Sequence, residues 1–77
     1  MLVWASKKGD VKVIDGLRPD RIPHLYIIHG LYWASRMGHI HVLERLLPVI
    51  PGDLIGDEPL KIAIINGHLD CIKVLLS

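Results

Sequence analysis

Apolar positions in this chain fall into short stripes at helical spacing, separated by glycine and proline. Ile40, Leu43, Leu46 and Leu47 lie at i, i+3, i+6 and i+7, which predicts an amphipathic helix stopped by Pro48 and Pro51. Just ahead of it, Leu31, Ala34 and Ser35 lie at i, i+3 and i+4 and predict a first helix with a small-residue face, ended by Gly38. The same two stripes recur around Gly67, with Leu69, Ile72, Leu75 and Leu76 on the second helix. They recur more weakly around Gly9, where Gly16 replaces a helix former and Arg18-Pro19 closes the helix early.

The recurrence is periodic. Leu2, Leu31 and Leu60 are spaced 29 residues apart, as are Ala5, Ala34 and Ala63, and Gly9, Gly38 and Gly67. A fixed period in this range predicts a helical solenoid, in which each unit buries its apolar face only against its neighbours. Alanine at the shared position lets two helical layers approach closely. The units are expected at about 1–29, 30–58 and 59–77, roughly two and a half helix-turn-helix repeats in one all-α domain. The connectors 18–30 and 48–59 carry proline and glycine and show no helical period. In the second, Gly56 is suited to a positive φ within a turn-forming finger. The chain starts inside a first helix and stops after a Leu-Leu pair, as expected of an excised portion or of a short protein that stacks with itself.

These residues resemble the ankyrin repeat, with its Thr-Pro-Leu-His-x-Ala box and its later Gly-His and Leu-Leu. The third repeat carries Pro59, Leu60, Ala63, Gly67, His68, Val74, Leu75 and Leu76; the second carries Leu31, Ala34, Gly38, His39, Val42, Leu46 and Leu47. The first keeps Leu2, Ala5, Gly9, Val13 and Leu17. The family period is about 33 residues; the shortfall here lies between the second helix and the finger. The Thr and His of the box are also replaced, by Glu58 and Lys61 in one repeat and by His29 and Tyr32 in another.

Composition narrows the function. Hydrophobic residues make up 51% of the chain, too many for a disordered segment. A net charge of +1 gives no electrostatic ground for nucleic acid or an anionic membrane as partner. No apolar run approaches the length of a membrane span, and the first residues do not read as a secretory signal. Cys71 is the single cysteine, which rules out an internal disulfide and fits an intracellular, cytoplasmic setting.

Candidate chemistry is sparse. His39 and His68 share one repeat position, which points to a structural role at the start of the second helix. His39 and His41 are two apart and face different ways on a helix, and no zinc-like spacing of Cys or carboxylate accompanies them. Ser6 and Ser35 read as small packing residues, and Cys71 as an inert core thiol. Trp4 and Trp33, also equivalent, are expected to pack between repeats. No catalytic motif, metal site or cofactor is expected.

The ankyrin resemblance implies a non-catalytic module that binds a partner protein through its concave face. Carried onto this chain, the partner-binding positions are Lys8, Tyr26, Ile28, Arg36, Met37, Ile55, Asp57, Ile65 and Asn66. Several are large and apolar, as at interfaces. The alternative placement tucks Leu25, Ile28, Leu54 and Ile55 into the core. The resemblance leaves open a second role, as a structural spacer or regulatory segment of a larger enzyme or effector, and the exposed repeat ends offer a surface for self-association.

Overall fold

The computed structural model describes residues 1–76. Six α-helices form three pairs: α1 (Leu2–Lys8) with α2 (Val11–Gly16), α3 (His24–Met37) with α4 (Ile40–Leu46), and α5 (Glu58–Ile65) with α6 (Leu69–Leu76). No strand occurs among the described residues.

Each pair turns at its glycine. Gly9, Gly38 and Gly67 have φ of 75°, 78° and 70°, a left-handed conformation that costs a residue with a Cβ about 1–2 kcal/mol. That turn aims the next amide back at the helix just finished: Asp10, His39 and His68 each donate from N–H to the carbonyl of Ala5, Ala34 and Ala63 at 2.9 Å. Two helix-end carbonyl and amide groups are thereby satisfied within the turn.

The pairs then stack in register. First helices α1, α3 and α5 pack side by side in one layer, and second helices α2, α4 and α6 in another. Between the layers lie Ile14, Ile27, Leu31, Val42, Leu43 and Leu46, all fully buried. Ala5, Ala34 and Ala63 are likewise without exposure, the close approach their small side chains permit.

One connector departs from its sequence reading. Residues 24–30 are the first half of α3, so the expected repeat boundary at 29/30 falls inside a helix. Pro23 occupies the N-cap position and Ile27, Gly30, Leu31 and Ala34 continue one buried face at i, i+3, i+4 and i+7. Gly30, within the stretch expected to be a connector, is a packing residue. A Cβ there would come within 2.8 Å of Ser6 Oγ and 2.9 Å of Leu46 Cδ1, so glycine is what lets α3 cross α1 this closely.

The connector before α5 is irregular as expected, with short 3₁₀ turns at Leu47–Val49 and Gly52–Leu54. Gly56 takes φ 73°, and Pro59 lies buried in the first turn of α5. Arg45 forms a salt bridge with Asp15 at 3.2 Å, and His41 Nδ1 is hydrogen-bonded to Glu44 Oε1 at 3.0 Å.

Candidate functional site

The repeat interval carries the nine candidate positions into two rows. Lys8, Arg36, Met37, Ile65 and Asn66 stand where α1, α3 and α5 end, just before each turn glycine. All five are exposed, Ile65 at 77% and Met37 at 46%. Because the three helices are neighbours, these ends form one continuous row across the first-helix layer.

Tyr26, Ile28, Ile55 and Asp57 form the second row, near the starts of α3 and α5. Ten residues of helix separate Tyr26 from Arg36, about 15 Å along the axis. Tyr26 is exposed and lines a cavity of about 380 Å³ with Leu2, Val3 and Leu17. Ile28 lies on the opposite flank of α3, beside Tyr32 and Glu58. The structure therefore does not bring Tyr26 and Ile28 together. Ile28 and Ile55 are half-buried and pack against the core, while Leu25 and Leu54 remain exposed. The alternative placement of the connector apolars in the core describes the first two and not the last two.

The row at the helix ends contains a feature that sequence reasoning missed. Lys7 Nζ lies 4.5 Å from the ring centroid of Trp33 in the next pair, and Arg36 Cζ lies 5.1 Å from the same centroid. Lys8 Nζ lies 4.9 Å from the centroid of Trp4. Trp4, read as an inter-repeat packing residue, is 48% exposed; Trp33 is half-buried, with Tyr32 edge-on at 5.7 Å. The signal was present in the spacing. Trp33 and Arg36 are i, i+3 and Trp4 and Lys8 are i, i+4, the separations at which helical side chains meet.

Two histidines anchor the backbone beneath this row. His39 Nε2–H donates to the carbonyl of Lys7 at 3.1 Å, and His68 Nε2–H donates to that of Arg36 at 2.9 Å. Each bond spans 32 residues and ties a second helix to the first-helix end of the preceding pair. The corresponding residue in the first pair is Asp10, which instead caps α2 by accepting from Val13 N–H at 3.2 Å. The histidines are thus structural, and among the described residues no three His, Cys, Asp or Glu side chains come together as metal ligands.

Cys71 is 1% exposed in the core, and burial, then the neighbouring Asp70 charge, pushes its thiol above the ordinary range. It remains a neutral thiol near pH 7, a poor nucleophile. No helix among the described residues is long and apolar enough to cross a membrane.

A family model described as ankyrin repeats, three copies, matches residues 2–77. No curated protein and no solved structure matches the chain. Ankyrin repeats are generally non-catalytic modules of protein–protein interaction, and the stacked helix pairs, the turn glycines and the histidine bonds between units accord with the match. The chain belongs to the ankyrin-repeat family.

Proposed function

We propose that this chain is a non-catalytic module that docks a partner protein on the exposed ends of its first helices, within the cell. The supporting observation is the row formed by Lys8, Arg36, Met37, Ile65 and Asn66, exposed on three adjacent helices whose Ala5, Ala34 and Ala63 are fully buried. A rigid backbone, held by the histidine bonds, limits the ordering cost of association. Met37 and Ile65 supply apolar anchors and Arg36 a polar one. In the second row, Tyr26 extends the surface on one flank of α3, and Ile28, Ile55 and Asp57 form a separate margin. Neither an enzymatic reaction nor a nucleic acid or membrane enters this reading.

A specific observation favours a second role as a spacer or regulatory segment of a larger protein. Ile64 is 57% exposed at the repeat position where Ser6 and Ser35 are fully buried against the next pair. With Leu69 and Leu76 of the same pair, also exposed, it leaves the third pair with uncovered apolar surface. That surface suits contact with further protein or with a second copy of the chain.

Partner capture from nuclease-treated lysate, comparing the native chain with the Met37→Asp/Ile65→Asp variant, tests the main reading. A protein held by the native chain and lost from a variant of unchanged helicity supports it. Equal capture by both excludes the helix-end row as the docking surface.

A further inference from the structure

The charges on the first two helices of the first-helix layer are of one sign. The chain has eight acidic residues, yet none lies in α1 or α3. Lys7, Lys8 and Arg36 all project from these two helices, and among the described residues none of them makes a salt bridge. Among the described residues their side chains meet the indole rings of Trp4 and Trp33. The near-neutral total conceals a locally cationic face.

The rings hold these cations without neutralising them. Stacking on an aromatic face at an exposed site is a weak attraction and leaves N–H donors of an ammonium or guanidinium pointing outward. The carboxyl-terminal helix ends beneath them supply only partial negative charge. Lys7 and Arg36 share the ring of Trp33, within 5.1 Å of its centroid, so two positive centres are held as one preorganised unit. Their backbone carbonyls are in turn fixed by His39 and His68.

We propose that this surface recognises an acidic segment of the partner protein, with carboxylates on Lys7, Lys8 and Arg36 and apolar side chains on Met37 and Ile65. An extended segment presents alternate side chains on one side, about 7 Å apart, so that successive carboxylates can reach different cations of the row. Carboxylate–guanidinium contacts are charge-assisted and directional, so they would set register as well as attraction. Single-stranded nucleic acid would also bring negative charge, but it binds by stacking bases on free aromatic faces. Here cations already stack on both rings, Lys8 on Trp4 and Lys7 and Arg36 on Trp33, and compete with a base for them.

The inference rests on the helix-end row being the docking surface. Trp4 and Trp33 are the chain's two tryptophans, so intrinsic fluorescence reads the site directly. The probe is a blocked peptide with Asp at alternate positions among Leu and Ser, set against the same peptide with Asn for Asp. A saturable fluorescence change is expected for the Asp peptide, with about tenfold weaker binding of the Asn peptide and weakening as salt is raised. Lys7→Glu/Arg36→Glu should abolish binding, whereas Lys12→Glu/Arg21→Glu, the same charge change at exposed sites outside the row, should retain it. If the first variant loses helicity, Lys7→Met/Arg36→Met removes the charges while keeping stem length, and loss of binding is again expected.

Equal binding of the two peptides, equal loss in both charge-reversal variants, or tighter binding of a single-stranded oligonucleotide would overturn the proposal. A captured partner lost from Met37→Asp/Ile65→Asp but retained by Lys7→Glu/Arg36→Glu would overturn the acidic segment alone. The docking surface itself would then stand.

Discussion

His68 Nε2–H donates to the carbonyl oxygen of Arg36 at 2.9 Å, and its ring lies against the turn glycine of the preceding pair. A Cβ on Gly38 would stand 2.8 Å from His68 Nδ1, and one on Gly9 would stand 2.6 Å from His39 Nδ1. The glycine thus answers two demands, a left-handed backbone and room for the next unit's imidazole.

Gly67 separates the two demands. Its φ is 70°, yet a Cβ there meets nothing within 4 Å. Gly67→Ala should therefore cost only the backbone strain, about 1–2 kcal/mol. Gly38→Ala should cost more, because it also displaces His68 from the Arg36 carbonyl. Urea unfolding of the two variants checks the order; equal losses would show that the imidazole contact adds nothing.

Removing the imidazole tests the bond from its other side. His68→Ala leaves the Arg36 carbonyl to water and should cost about 1 kcal/mol. Combined with Gly38→Ala the effects should be less than additive, since both break one contact. Thermal unfolding of the single and double variants supplies the cycle.

Ser6 and Gly30 form a second coupled pair. Ser6 Oγ is buried with no hydrogen-bond partner, whereas the equivalent Ser35 Oγ donates to the Leu31 carbonyl at 2.7 Å. Relieving an unsatisfied buried hydroxyl is worth about 1 kcal/mol, so Ser6→Ala should stabilise the fold while Ser35→Ala does not. Gly30→Ala should destabilise despite alanine's higher helix propensity, because its methyl meets Ser6 Oγ and Leu46. Its cost should shrink in the Ser6→Ala background. Denaturation midpoints of the native chain, the three single variants and the double variant decide this, and an unchanged Gly30→Ala cost would place the clash on Leu46 alone.

The buried thiol sets a pH limit. Cys71 titrates above the ordinary thiol range when folded, for the reasons of burial and the Asp70 charge. A group whose pKa is raised on folding favours the native state below its unfolded pKa. That stability is lost as pH rises past about 8.5 toward the folded value. Stability of the native chain should fall over this alkaline range more than that of Cys71→Ala. Thiol alkylation at pH 8 should be slow until urea unfolds the chain.

Much of this was legible in the sequence for a physical reason. Helix period and turn glycines are local properties, and their repetition at 29 residues announces stacking before any contact is seen. The exposed ends of the first helices followed from the same register, which is why Lys8, Arg36, Met37, Ile65 and Asn66 fall in one row. Residues 24–30 are helical where the sequence suggests a connector, because proline and glycine in sequence do not distinguish a loop from a helix start and a helix crossing. Only the approach of Ser6 and Leu46, distant in the chain, shows that Gly30 is a packing residue.

The division is one of range. The chain by itself determined the helix pairs, their glycine turns and the family to which they belong, since these depend on neighbours a few residues away or on the interval. Tertiary structure alone decided that Lys7 meets Trp33, that His39 and His68 reach back to the preceding pair, and that Ile28 and Ile55 lie half-buried. Those outcomes depend on how closely two helical layers approach. That distance is set by packed side chains from different repeats, which no local pattern contains.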